Sequence, residues 1–278
     1  MIDDARAERA DLARSGRMPA RVGVLGGFAL STGTDEVAPL TSGAQRLVAF
    51  LALHGRSISR EQAAGVLFPD VNGRHAYASL RSTLARLDPH ARHAVRSTAT
   101  DLLLDDGVVV DLHRARALAH RILGRTDELR DADLDQTSVA TLSTALLPGW
   151  YDEWVVVEAE DWRQLRLHAL EALARRLVAV GRFGHATAAA RAAIRAEPLR
   201  ESAHGTLIAV HLAEGNQAEA VRQYEQYRTI LLDGLGLEPT DRLRAQLPCI
   251  ADGDRWAPRA GRTDVGHGAA LPGLRGSG

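Results

Sequence analysis

Residues 75–87 read HAYASLRSTLARL. On a helical wheel at about 100° per residue, Tyr77, Leu80, Leu84 and Leu87 fall within one sector of about 80°. That stripe is expected to face a core. The opposite side carries His75, Ala78, Ser79, Ser82 and Arg86, with Ala85 at its border, and Arg81 sits on one shoulder near Arg74 of the preceding turn. Small side chains let a helix backbone come close to another surface, while arginine and serine supply donors for phosphate oxygens and base edges. No acid occurs in this helix before Asp88. The reading is a helix that enters a groove of DNA; the plainer alternative is a solvated, arginine-rich face.

Local charge supports the first reading. Between Thr41 and Arg96 eight arginines stand against Glu61, Asp70 and Asp88, an excess of five, whereas Trp150 to Ile250 holds twelve arginines against fourteen acids. The whole chain has a formal net charge of −1, so attraction to phosphate must come from this segregation. All of the basic side chains are arginine; there is no lysine.

Moving outward, SREQAAGVLFPD precedes the helix, with Ser59 and Gln62 spaced as a capping box and Pro69 as the stop. Upstream, SGAQRLVAFLALHG predicts a helix ended by Gly55, and RVGVLGGFAL and EVAPL predict short strands. Downstream, HAVRSTATDLLLDDGVVVDL predicts β runs split by turns at Thr98–Asp101 and at Asp105-Asp106-Gly107. Strands, three helices and a hairpin, in that order, predict a winged helix-turn-helix.

From Leu112 onward the pattern is helical: LHRARALAHRIL, then TSVATLSTAL stopped at Pro148-Gly149, then a long helix from about Glu158 to Val180, then two helix pairs. Gly181 and Gly215 lie 34 residues apart, Ala186 and Ala220 keep the same spacing, and Pro198 ends the first unit. That period, with glycine at the interhelical turn and alanine where helices approach, is a tetratricopeptide signature. The second copy is imperfect, with Leu232 in place of the proline, which comes later at Pro239. The fold class expected is mostly α: an N-terminal winged helix-turn-helix (α+β), then an all-α tetratricopeptide-like domain. The expected organisation is a flexible segment over 1–20, the winged unit over 21–111, the helical unit over 112–248 and a disordered tail over 249–278, rich in glycine and proline.

Module order and particular segments together are similar to the SARP-type transcriptional activators of actinobacteria, whose second module is the bacterial transcriptional activation domain. The segments are LTSGAQRLVAFLALHGRSISREQAAGVLFPD, HAYASLRSTLARL, GVVVDLHRARALA, LLPGWYDEWVVVEAEDWRQLRLHALEALA and the repeat region through LLDGLGLEPTDRL, about Arg21 to Leu247. The resemblance implies a third helix in the major groove of double-stranded promoter DNA, a wing on an adjacent groove, and recruitment of RNA polymerase holoenzyme by a chain that forms a homodimer. It places the DNA-binding residues at Arg81 and Arg86, assisted by Arg74, His75, Ser79 and Ser82, with Arg96 on the first wing strand. One departure weakens the wing: Ser97-Thr98-Ala99-Thr100-Asp101 has no glycine, and Asp101 would repel a phosphate. The alternative is a tetratricopeptide-type adaptor whose winged helix no longer binds DNA. The ATPase module of larger relatives is not expected.

Enzymatic chemistry is not indicated. GVLGGF lacks the spacing of a phosphate-binding loop and reads as a strand bend. His75, His90 and His93 lack converging ligands for a metal, and Asp131, Asp133 and Asp135 read as a surface loop rather than a calcium loop. Trp150, Tyr151, Trp154 and Trp162 read as a packing hub between the first helices and the repeats. Cys249 is the only cysteine, read as an incidental thiol. No cofactor, metal or membrane span is expected, and the N-terminus is not a signal peptide; the expected location is cytoplasmic, at the nucleoid.

Overall fold

A computed structural model describes residues 20–32, 36–37, 39–124 and 129–247. The flexible-segment and tail expectations, and Cys249, lie outside the described residues. Strands β1 (Ala20–Gly23), β2 (Ala29–Thr32) and β3 (Glu36–Val37) open the chain, followed by α1 (Ser42–His54), β4 (Ile58–Ser59), α2 (Arg60–Leu67), α3 (Gly73–Ala85) and α4 (Pro89–Ala94). The hairpin β5 (Val95–Ser97) and β6 (Asp101–Leu104) forms the wing, and β7 (Val109–Val110) leads into α5 (Asp111–Leu123). Next come α6 (Gln136–Ser143), α7 (Glu153–Ala179), α8 (Phe183–Ala196), α9 (Glu201–Ala213), α10 (Gln217–Leu235) and α11 (Asp241–Arg244).

The winged unit follows from its capping chemistry. Thr41 caps α1 through Ala44 N–H, Gly55 ends it in the left-handed conformation, and Ser59 caps α2 through Gln62 N–H at 3.1 Å. Asn72 caps α3 by accepting from His75 N–H at 3.2 Å. The three β runs after α4 do not stay together. β5 and β6 pair antiparallel with β4 added at the edge, while β7 leaves to pair parallel with β1 in a sheet ordered β3-β2-β1-β7.

The helical unit shows the repeat directly. Gly181 and Gly215 have φ of 73° and 85°. Arg182 N–H bonds Leu177 O at 2.9 Å and Asn216 N–H bonds His211 O at 2.8 Å, the same six-to-one closure 34 residues apart. Ala186 and Ala220 are fully buried where the paired helices meet.

Three expectations need correction. TSVATLSTAL does not run to Pro148: α6 ends at Ser143 because Leu146 bridges Leu25 and Leu147 N–H bonds Val24 O at 2.9 Å. The long helix starts at Glu153, not near Glu158. The Asp131–Asp135 stretch is not a plain surface loop. Asp133 is buried, bound by Arg121 at 2.7 and 3.0 Å, and Asp135 caps α6 through Ser138 N–H at 2.8 Å.

Candidate nucleic-acid interface

Helix α3 turns a different stripe inward from the one hydrophobicity predicts. Ala76 and Leu80 are each 1% exposed and Leu87 is buried, but Leu84 is only half-buried and Tyr77 is 39% exposed. Thr83 of α3 faces Gly43 of α1, where an added Cβ would make an ordinary contact at 3.6 Å. Tyr77 lies on the outward shoulder. With Arg74, Ala78, Arg81 and Ala85 it occupies a sector of about 100° on the wheel.

Arg74, His75, Arg81, Arg86 and Arg96 are all exposed, while Ser79 and Ser82 are half-buried. Arg74 and Arg81 make no ion pair among the described residues. Arg86 folds back, its Nε donating to Ser82 O at 3.3 Å. His75 places Nδ1 2.8 Å from the Asn72 Oδ1 that caps the helix, so its ring serves the N-terminus. Arg92 donates to Ala85 O and Leu87 O, closing the C-terminal end of α3. The structure thus places Arg74 and Arg81 on one face, with Arg86 about 120° round the helix from Arg74 at the C-terminal end and the serines half-buried.

Arg96 stands apart. Its Nη2 donates to Asp106 at 2.8 Å and to Asp105 at 3.2 Å, which pushes its pKa up and sets two carboxylates beside the guanidinium. The wing turn is held from below by Arg60. That side chain donates from Nε to Thr98 O at 3.0 Å and from Nη2 to Ser97 Oγ at 2.6 Å. Asp101 accepts from Thr100 Oγ1 at 2.5 Å and its N–H bonds Thr98 Oγ1 at 2.9 Å, so its carboxylate is tied into the turn. Sequence reasoning missed both Tyr77 and Arg60. Arg60 carried a signal: a cation in the first turn of a helix opposes the helix dipole, so it is placed there for a contact beyond its own helix.

The interface is mounted on the helical unit through a seam. Arg46 of α1 pairs across it with Asp152 at 2.5 Å, and within the helical unit Arg116 of α5 pairs with Glu158 at 2.6 Å. Trp154 meets Phe50 edge-on at 5.3 Å and Trp150 at 6.4 Å, and Trp150 stacks near Phe28 at 6.2 Å. Trp162 is fully buried and donates Nε1–H to Thr144 O at 2.9 Å. Tyr151, grouped with these by sequence, is 87% exposed and takes no part in the hub. Among the described residues no cluster of three or more His, Cys, Asp or Glu could hold a metal, and no helix is long and apolar enough to cross a membrane.

A winged helix-turn-helix with an arginine-bearing third helix, fused to tetratricopeptide-like helix pairs, is the architecture of a class of bacterial transcription regulators. Residues 110–247 match the model of the bacterial transcriptional activator domain. The chain is 26% identical over 210 residues to the regulatory protein AfsR of Streptomyces griseus, covering 71% of this chain and 21% of that protein. It therefore spans about one fifth of the length of that curated relative. A solved structure of Mycobacterium tuberculosis EmbR, in complex with a low-affinity phosphopeptide, shares the fold. Its TM-score is 0.63 at 21% identity, covering 86% of this chain and 67% of that one. The chain therefore carries a bacterial transcriptional activator domain and is similar to SARP-type regulators.

Proposed function

We propose that this chain is a promoter-binding transcriptional activator that reads double-stranded DNA with the outward face of α3. The observation that carries the proposal is the placement of exposed Arg74 and Arg81 on one face of α3 with Ala78, Ala85 and Tyr77 and with no ion-paired carboxylate. Arg86 adds a backbone contact at the C-terminal end, with His75, Ser79 and Ser82 at the margins. Regulation then proceeds through the helical unit, by contact with RNA polymerase holoenzyme and by pairing of two copies of the chain. The site of action is the cytoplasm, at the nucleoid, and no enzymatic step is involved. The proposed division is a winged unit over 21–111 and a helical unit over 112–248.

Fluorescence anisotropy with duplexes tiled across the region upstream of the protein's own gene tests this. Salt-dependent, sequence-selective binding is expected. Arg81→Ala should weaken the specific site by about 1–3 kcal/mol if it reads a base edge. If it meets only phosphate, it should lower the salt slope by about one unit on every sequence. Absence of binding to any duplex at low salt overturns the proposal. It would favour the protein-interaction adaptor instead, a reading supported by the capture of Arg96 by two wing carboxylates.

A further inference from the structure

A cleft of about 660 Å³ opens between α2 of the winged unit and the first turns of α7. Its volume lies within the range of small-molecule sites. Val66 and Pro69 form one wall, and Val157 and Trp154 the other. Val157 is 58% exposed, an apolar side chain left in water beside a concave surface. Tyr151 stands at the mouth, almost wholly exposed, with no packing role.

The charge of this cleft has one sign. Asp152, Glu153 and Glu158 line it and no arginine does. Asp152 and Glu158 are already bound by Arg46 and Arg116 from outside the lining. Glu153 has no ion pair among the described residues. The other ionisable lining group, His54, donates Nδ1–H to Phe50 O at 2.9 Å and so is engaged within α1. An indole and a phenol beside an uncompensated carboxylate attract a cation by charge and by the ring quadrupole together.

We propose that this cleft binds a small organic ammonium ion with an apolar or aromatic body. The ammonium sits between Glu153 and the rings of Tyr151 and Trp154, and the body lies against Val66, Pro69 and Val157. An anion is repelled by the unpaired Glu153, and a neutral molecule gains only the apolar contact. The site is separate from the α3 face, and its occupancy can be measured with no DNA present.

Isothermal titration of the full chain with phenethylammonium, 2-phenylethanol and phenylacetate tests the proposal. Phenethylammonium should saturate at one per chain, about tenfold tighter than 2-phenylethanol, with phenylacetate not binding. Glu153→Gln, a surface change, should remove that tenfold preference, and Tyr151→Ala should weaken the cation several-fold. The ligand-free melting temperature of both variants should stay unchanged. Phenethylammonium should raise the melting temperature of the parent protein and not that of Glu153→Gln. Failure of phenethylammonium to saturate, equal binding of 2-phenylethanol, or an undiminished preference in Glu153→Gln overturns the assignment.

Discussion

The carboxylate of Asp111 accepts the Val24 N–H at 2.9 Å, across 87 residues of chain. It also takes the Leu25 N–H at 3.0 Å and its own helix's Leu112 N–H at 2.7 Å. One side chain therefore terminates β1 and starts α5, locking the first sheet to the first helix of the second unit. Asp111→Ala leaves three amide donors without that acceptor and should cost about 3 kcal/mol of stability, read from urea unfolding. Asp111→Asn keeps the shape and one acceptor and should cost less, about 1–2 kcal/mol.

Release of Arg96 should strengthen DNA binding. In the wing, Asp105 N–H bonds Ala94 O at 2.9 Å, which sets both aspartates beside Arg96. The double variant Asp105→Asn, Asp106→Asn frees a guanidinium and removes two negative charges from the wing. The salt slope of binding to any duplex should steepen by about one unit. Arg96→Ala in the parent chain should change affinity less than twofold, because two adjacent carboxylates already offset its charge. A large loss in Arg96→Ala would show instead that the pair opens when DNA arrives.

How far the sequence discloses this molecule depends on which force sets each feature. The repeat is legible because Gly181 and Gly215 answer to backbone geometry, which imposes a residue type at a fixed spacing. The cap at Ser59 is legible for the same reason: the helix start needs a local acceptor. Arg74 and Arg81 were legible as exposed cations because nothing nearby in sequence opposes them. Tyr77 was misplaced because a hydrophobicity wheel ranks side chains by apolarity, whereas α3 turns the small Ala76 inward beside Leu80. The capture of Arg96 was hidden in the same way. Asp105 and Asp106 announce a turn, and only the hairpin register reveals what lies across from it. The departure of β7 to β1 is a long-range pairing with no local signal.

Four glycines separate backbone need from packing need in the helical unit. Gly181→Ala and Gly215→Ala force a side chain into the left-handed region and should each cost about 1–2 kcal/mol. Near-equal losses would confirm that the two turns are equivalent. Gly184 lies inside α8 with nothing within 4 Å of an added Cβ, so Gly184→Ala should stabilise by about 0.5–1 kcal/mol. Gly205 is also helical, but a Cβ there would meet Leu243 and Gln246 of the closing segment at 3.1 Å. Gly205→Ala should therefore destabilise by pushing α11 away, and thermal melts of the four variants rank them.

Stability should fall as pH drops below about 6.5, before any carboxylate titrates. Burial pushes the pKa of His204, His113 and His211 below the ordinary histidine value of 6.5. His204 is 1% exposed, donates Nε2–H to Pro198 O at 2.9 Å and accepts from Gln223 at Nδ1, an arrangement that requires the neutral ring. Below 6.5 the unfolded chain takes up protons at these sites while the folded chain resists, so the unfolded state gains. The loss continues down to the depressed folded pKa values. A second decline begins near pH 4, where Asp133, held below the usual carboxylate range chiefly by Arg121, is protonated first in the unfolded chain. Melting temperature measured from pH 8 to 3 should show a plateau above 7 and then two descending arms. His204→Gln should lower the plateau and flatten the upper arm alone; an upper arm of unchanged slope in that variant would remove His204 from the account.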